Sequence, residues 1–137
     1  MIPRYTRSKI KKIWTSENKF SIWTDIECLI AEKLSLNGTI PKEAAKEIKK
    51  KAKFVVKEIE EIEKETKHDF VAYINNISSY IGKNAKYFHY GVTSSDVIDT
   101  AFSIQLKQSA DIIINDLISI LKELKNKAFK YKKTIMI

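Results

Sequence analysis

The feature that most constrains this chain is the absence of glycine and proline after Gly91. Beyond the polar run Thr93-Ser94-Ser95-Asp96, mostly apolar residues recur at alternating intervals of about four and three positions, the spacing of one helix face. The members of this series are Val97, Ala101, Ile104, Gln108, Ile113, Leu117, Ile120, Leu124 and Ala128. The pattern predicts one helix of roughly 35–40 residues, a length typical of long bundles and coiled coils.

The earlier part of the chain also has the pattern of helices separated by capping and breaking residues. Thr15-Ser16-Glu17 predicts a helix start, and Asn37-Gly38 predicts the end of that helix. Further helices are expected over residues 41 to about 53, about 55–65 and about 71–81. Gly82-Lys83-Asn84 is expected to break the last of these.

These elements predict an all-α fold in two parts. We expect an N-terminal helical domain over residues 1–92, followed over residues 93–137 by the first long helix of a bundle domain. Four aromatic residues at helical positions are expected in the core: Trp14, Trp23, Tyr73 and Phe102. The chain stops on Ile135-Met136-Ile137 without a cap or polar tail, which favours a truncated long helix.

Charge and composition weigh against several other classes of protein. The net charge is +8, but only Arg4 and Arg7 supply the guanidinium groups best suited to nucleic acid, so a nucleic-acid partner ranks last. No apolar run is long enough to span a membrane, and the N-terminus has no signal-peptide pattern. The single cysteine, Cys28, cannot form an internal disulfide, so a cytoplasmic location is expected.

The two histidines are the first candidates for chemistry. His68 lies in Lys67-His68-Asp69 at a predicted helix start, where it could be tuned for proton transfer; the alternative is that Asp69 caps the helix and His68 is a loop residue. His89 has aromatic neighbours and is by default a partly buried, hydrogen-bonded side chain. Two histidines and one cysteine do not make a zinc site, so no metal is expected.

Two further segments suit anionic ligands. Thr93-Ser94-Ser95-Asp96 opens the long helix, where free backbone N–H groups and hydroxyls could hold a carboxylate or phosphate, although capping alone also explains it. Arg4 and Tyr5 pair a guanidinium with a phenol, which suits phosphate recognition; the alternative is a disordered tail.

Taken together, the segments resemble the adenylosuccinate lyase family, in order and along the whole chain. They are Ile2-Pro3-Arg4-Tyr5, Ile13-Trp14-Thr15, Glu17-Asn18-Lys19-Phe20, Ile40-Pro41-Lys42, the run from Glu61 to Asp69 and the run from His89 to Thr100. The resemblance implies membership of the fumarase/aspartase superfamily of all-α homotetramers. It also implies release of fumarate from adenylosuccinate, giving AMP, and from succinyl-carboxamide ribotide, without a metal or organic cofactor.

The resemblance implies roles for the residues already singled out. Arg4 and Tyr5 match a pair near the nucleotide phosphate. Thr93 and Ser94 match hydroxyls that hold the succinyl carboxylates. The remaining matches are a substrate-contact segment of Lys67, His68 and Asp69, in which His68 assists catalysis, and a substrate-binding His89. Many relatives carry arginine at the position of Lys67. Lysine keeps the positive charge but cannot form the two parallel hydrogen bonds of a guanidinium group.

The same resemblance implies that part of the active site lies outside this sequence. The family's histidine proton donor and its catalytic serine belong to G-R-T-H-G and G-S-S-x-M-P-x-K-x-N-P segments, which residues 1–137 do not contain. The chain alone is therefore expected to be inactive. Alternatives are another C–N lyase of the superfamily, such as one acting on argininosuccinate, and a non-catalytic helical interaction module.

Overall fold

The protein consists of helices joined by short connections. The structure is a computed structural model, and it describes residues 2–135. The helices are α1 (Ser8–Ile13), α2 (Ser16–Leu36), α3 (Lys42–Lys51), α4 (Val56–Thr66), α5 (Asp69–Ile81) and α6 (Ser94–Tyr131), with short 3-10 helices at Pro3–Tyr5 and Gly82–Tyr87. Every regular element in this range is helical, so the predicted all-α class is confirmed.

The predicted capping residues lie where the sequence suggested. The Thr15 hydroxyl accepts a hydrogen bond from the Asn18 backbone N–H (3.2 Å) at the start of α2. At its other end Gly38 has a φ of +81°, a left-handed conformation that suits glycine and turns the chain toward α3. The Thr93 backbone N–H donates to Asp96 Oδ2 (2.9 Å) at the start of α6. These bonds fix the entry of the chain into its two longest helices.

The core lies between α2 and α5, around a cluster of aromatic rings. Trp23 contacts the rings of Phe70 and Tyr73, with centroids 4.9 and 5.1 Å apart, and Phe20 stacks on Tyr73 at 5.7 Å. The Tyr73 hydroxyl lies 3.2 Å from the Thr24 hydroxyl, so the buried phenol has a polar partner. Isoleucines from α3, α4 and α5 complete the core: Ile48, Ile59, Ile77 and Ile81.

The structure corrects three details of the sequence interpretation. Helix α1 was not predicted, and residues 82–87 form a 3-10 helix where only a break was expected. Trp23 and Tyr73 are fully buried as expected, but Trp14 is 39% exposed and Phe102 is 50% exposed. Those two rings pack against each other, with centroids 6.0 Å apart, and both stay partly exposed.

Helix α6 has 38 residues and a length of about 57 Å, which confirms the predicted long helix. Its buried residues all belong to the first turns: Val97, Ala101 and Gln105. The Gln105 amide donates to the Ile13 carbonyl (2.7 Å), and Arg7 forms an ion pair with Asp116, so α1 is fastened along α6. The final two residues of the predicted bundle segment, 136 and 137, and residue 1 of the first lie outside the described residues.

Candidate active site

Two helix N-termini meet at one open cleft of about 320 Å³. Helix α5 begins there after His68, and α6 begins there after Thr93. The cleft is lined by His68, Phe70, Val71, Ile74, His89, Val92, Thr93 and Ser94. Each helix start has a positive dipole end, which suits a small anionic ligand, although Asp69 and Asp96 already accept hydrogen bonds from the Phe70 and Thr93 N–H groups there.

Four residues that the sequence singled out are brought together in this cleft. His68, His89, Thr93 and Ser94 all line it, although α5 and the following 3-10 helix separate His68 in sequence from the other three. The lining side chains carry no permanent charge: they are imidazoles, hydroxyls and apolar groups. A ligand with two carboxylates would therefore meet hydrogen-bond donors without an adjacent carboxylate among the lining residues.

Lys67 and Asp69 flank His68 but do not line the cleft. Lys67 ends α4 with a φ of +52°, and its backbone N–H donates to the Glu63 carbonyl (2.9 Å). Asp69 Oδ1 accepts from the Phe70 backbone N–H (2.7 Å), and its Oδ2 lies 3.8 Å from Lys19 Nζ. The alternative that Asp69 caps the helix is not what the structure has: the N-cap residue of α5 is His68, without a capping bond from its side chain, and Asp69 is the first residue of the helix.

Arg4 and Tyr5 lie at the surface and do not line the cleft. They belong to the first 3-10 helix, and the Arg4 guanidinium carbon is 4.7 Å from the Tyr5 ring centroid. Tyr5 is 72% exposed. The pair therefore has a defined local geometry, but within this chain it does not join the other predicted site residues.

The His89 ring contacts Glu27, a residue of α2 that the sequence interpretation missed. Its Nδ1 lies 2.6 Å from Oε1 of Glu27, whose side chain is fully inaccessible to solvent in the middle of α2. Burial raises the pKa of Glu27 above its ordinary value of 4.5, against the opposing effect of the His89 contact. Glu27 falls four residues after Trp23 and four before Ala31, so its place on the buried face of α2 was the available signal.

The backbone on both sides of the cleft is unusual. Within residues 2–135, positive φ values at residues other than glycine occur only at Lys67 and His89, at +52° and +57°. Non-glycine residues in this region cost free energy and tend to concentrate at functional sites. The first precedes His68 and the second is His89 itself, so both cleft imidazoles depend on a left-handed residue for their placement.

Other candidate chemistry is weaker. Burial raises the pKa of the Cys28 thiol to about 11, which keeps it protonated at neutral pH and fits a packing role. Across the described part of the chain, no group of three or more histidine, cysteine or acidic side chains is arranged to hold a metal ion. Nor does any helix between residues 2 and 135 have the length and apolar character needed to cross a bilayer.

Comparison with known proteins gives consistent matches. The model of a family described as lyase matches residues 3–137. The adenylosuccinate lyase of Bacillus subtilis (strain 168) is 44% identical over 136 residues, which cover 99% of this chain and 32% of that protein. The chain thus spans about a third of the length of this curated relative.

Two solved structures share the fold. A fumarate lyase from Mesorhizobium sp. BNC1 superimposes with a TM-score of 0.82 at 22% identity, over 92% of this chain and 31% of that one. A beta-carboxy-cis,cis-muconate cycloisomerase from Acinetobacter calcoaceticus sp. ADP1 also gives 0.82, at 19% identity, over 90% of this chain and 31% of that one. At these identities the likeness concerns the fold alone.

Proposed function

Because this chain belongs to the lyase family of the fumarase/aspartase superfamily, we propose that it serves as the N-terminal part of an adenylosuccinate lyase. The proposed enzyme releases fumarate from adenylosuccinate, leaving AMP, and from succinyl-carboxamide ribotide. The observation that carries the proposal is the cleft that joins His68, His89, Thr93 and Ser94. The 44% identity to the Bacillus subtilis enzyme supports this choice of substrate.

The chemistry of the cleft fits the succinyl half of such a substrate. The helix starts at Thr93 and His68 offer backbone N–H groups, and the Thr93 and Ser94 hydroxyls add donors at the same edge. Elimination of fumarate builds negative charge beside a carboxylate as the C–H proton leaves, and donors aimed at that carboxylate stabilise it. We therefore assign Thr93 and Ser94 to the succinyl carboxylates.

Proton transfer requires a base at the carbon and an acid at the leaving nitrogen. His68 has a half-exposed side chain at the mouth of the cleft, and we assign it an assisting role beside the departing nitrogen. We assign His89 to substrate binding, because its Nδ1 is occupied by Glu27. The principal acid and base are proposed to come from family segments that residues 1–137 do not contain.

Arg4, Tyr5, Lys67 and Asp69 complete the proposed binding set from outside the cleft. We propose that Arg4 and Tyr5 contact the nucleotide phosphate, and that they do so at the cleft of another subunit, since the pair does not line the cleft of its own chain. Lys67 and Asp69 lie on either side of His68, so they can contact the part of the substrate that projects beyond the cleft.

The outer half of α6 supports a homotetramer built on a helical bundle. At 100° per residue, its large apolar residues cover about half of the helix circumference, a wider face than a single neighbour requires. These residues are 53–69% exposed: Ile113, Ile114, Leu117, Ile118, Ile120, Leu121 and Leu124. The opposite side is polar and includes Asn115, Ser119, Lys122, Glu123 and Asn126. We propose that residues 93–137 begin the bundle domain and that residues 1–92 form the substrate-contact domain.

The test is fumarate release by the intact gene product, with adenylosuccinate and argininosuccinate supplied separately. The proposal predicts turnover of adenylosuccinate and not of argininosuccinate. Ser94→Ala is expected to lower kcat/KM about 10- to 100-fold, the loss of one hydrogen bond to a charged group. The matched control is Ser95→Ala, one residue further along α6 and outside the cleft, which is expected to stay within about twofold.

The alternatives give distinct outcomes in the same assay. Turnover of argininosuccinate alone would assign the chain to another C–N lyase of the superfamily. No turnover of either compound, together with no protection against thermal unfolding by AMP or fumarate, would favour the helical interaction module.

A further inference from the structure

The Glu27 carboxylate is buried without a full set of partners. Its side chain has no accessible surface, its Oε1 lies 2.6 Å from His89 Nδ1, and its Oε2 has no hydrogen-bond partner among the described residues. Such a group is costly to bury unless a partner compensates it. A leucine or methionine would fill the same space on the apolar face of α2 without that cost. A carboxylate at this position is therefore explained better by what it does to His89 than by packing.

His89 is aimed by three independent restraints. Its backbone has a φ of +57°, its ring packs against Phe70 with centroids 4.9 Å apart, and its Nδ1 contacts Glu27. The preceding Phe88 is buried in the core, which anchors the segment to the domain. The His89 side chain is 21% exposed and lines the cleft beside Thr93 and Ser94. With Nδ1 occupied, Nε2 is the ring nitrogen available to a ligand.

We propose that Glu27 is a positioning residue: its carboxylate accepts the Nδ1–H of His89 and thereby presents Nε2 of that ring to the substrate in the cleft. This inference rests on the proposed function and adds a residue to it. A hydrogen bond to one ring nitrogen fixes both the tautomer and the orientation of an imidazole.

The first experiment is a neutron diffraction structure of the intact protein, because hydrogen positions decide the proposal directly. A proton on His89 Nδ1, directed at an ionised Glu27, is the expected result. A proton on Glu27 donated to a bare Nδ1 would overturn the proposal. This readout needs no turnover, so it decides the Glu27 contact even if the wild-type protein fails to act on adenylosuccinate and the proposed function falls.

Kinetics separate positioning from packing. Glu27→Met removes the acceptor but keeps the volume, and we expect it to lower kcat/KM about 10- to 100-fold, the range seen when such supporting hydrogen bonds are lost. Its melting temperature is expected to equal or exceed that of the wild type, since a buried carboxylate is removed. Glu27→Gln keeps an acceptor for Nδ1–H and is expected to retain more activity than Glu27→Met.

The matched control is Glu32→Gln on the same helix. Glu32 is exposed and its Oε2 lies 3.3 Å from Lys49 Nζ, away from His89, so kcat/KM is expected to stay within about twofold. If Glu27→Met also stays within that range while the wild type is active, Glu27 does not position His89. A parallel fall in melting temperature and kcat/KM would likewise overturn the proposal, because it would indicate a purely structural role.

Discussion

The helices around Trp23 and the outer half of α6 follow the same helical periodicity, but their apolar residues have different surroundings. Trp23 is fully buried among Phe20, Phe70 and Tyr73. Beyond residue 110, every large apolar residue of α6 except Ile112 is largely exposed. The comparison teaches that periodicity specifies which face of a helix is apolar. Whether that face is buried depends on whether the chain supplies another element that packs against it. Only the first region completes its core within residues 2–135.

The largest expected effect on stability comes from a substitution in the packed region around Trp23. Trp23→Ala removes the ring at the centre of the aromatic cluster and is expected to lower the free energy of unfolding by about 3–5 kcal/mol. Urea unfolding of the intact protein, followed by circular dichroism, measures this loss. Trp14→Ala is the matched control, since that ring is 39% exposed and its loss is expected to cost less. Equal losses at the two positions would contradict the proposed difference in packing.

The second prediction tests whether another chain covers the outer half of α6. Leu121 is 69% exposed within this chain, so Leu121→Ala is expected to change the stability of a dissociated subunit by less than about 0.5 kcal/mol. If α6 joins a bundle, the same change is expected to cost the assembled protein about 2–5 kcal/mol. Thermal unfolding at several protein concentrations separates the two cases, because assembly makes the melting temperature concentration-dependent.

The control for this prediction is Ser119→Ala on the polar side of the same stretch. Ser119 bonds only to its own helix, its hydroxyl donating to the Asn115 carbonyl (2.9 Å). Its replacement is expected to have little effect on assembly. An effect as large as that of Leu121→Ala would mean that the apolar face does not direct assembly.

The sequence was sufficient to predict most of this fold because its signals are local. Three local signals marked helix boundaries: the cap at Thr15, the glycine at position 38 and the polar run after Gly91. The structure has a helix start or end close to each of them. Helix α1 was missed because its six residues, Ser8–Ile13, are too few to show periodicity. Trp14 was wrongly expected in the core because its exposure depends on tertiary packing: its ring meets Phe102, which is far away in sequence, and both rings stay partly exposed.

The candidate site was predictable in part. Thr93 and Ser94 stand at a helix start that its capping pattern reveals, and the family resemblance pointed to these residues and to His68. Glu27 was missed because its importance comes from His89, 62 residues away in sequence, which no local pattern connects to it. The buried face of α2 could have shown that Glu27 is enclosed, but only the fold shows which group it contacts.

A third prediction concerns the pH dependence of stability that the buried Glu27 carboxyl group causes. Because burial raises the pKa of Glu27 in the folded protein, its contribution to stability is fully present below the unfolded value of 4.5 and is lost as the pH rises through the folded pKa. Glu27→Gln abolishes this dependence. The melting temperature of the variant relative to the wild type is therefore expected to increase from pH 4.5 toward pH 7. A difference that stays constant with pH would contradict the direction of the shift.

The smallest expected effect belongs to the surface of the well-packed region, at Glu58. Glu58 Oε2 accepts hydrogen bonds from the Tyr80 hydroxyl and the Asn76 amide, both at 2.7 Å, and these donors lower the pKa of Glu58. Its stabilisation is present above the unfolded value of 4.5 and is lost as the pH falls through the folded pKa. Tyr80→Phe removes the donor that lowers the pKa of Glu58 most but leaves the Asn76 bond in place. The difference in melting temperature between Tyr80→Phe and the wild type is expected to be small at pH 7 and to shrink further on acidification.

The control is Tyr87→Phe, the same change outside this network, which is expected to show no such pH dependence. If both variants lose stability in parallel, the Glu58 contacts do not contribute to the stability of the packed region.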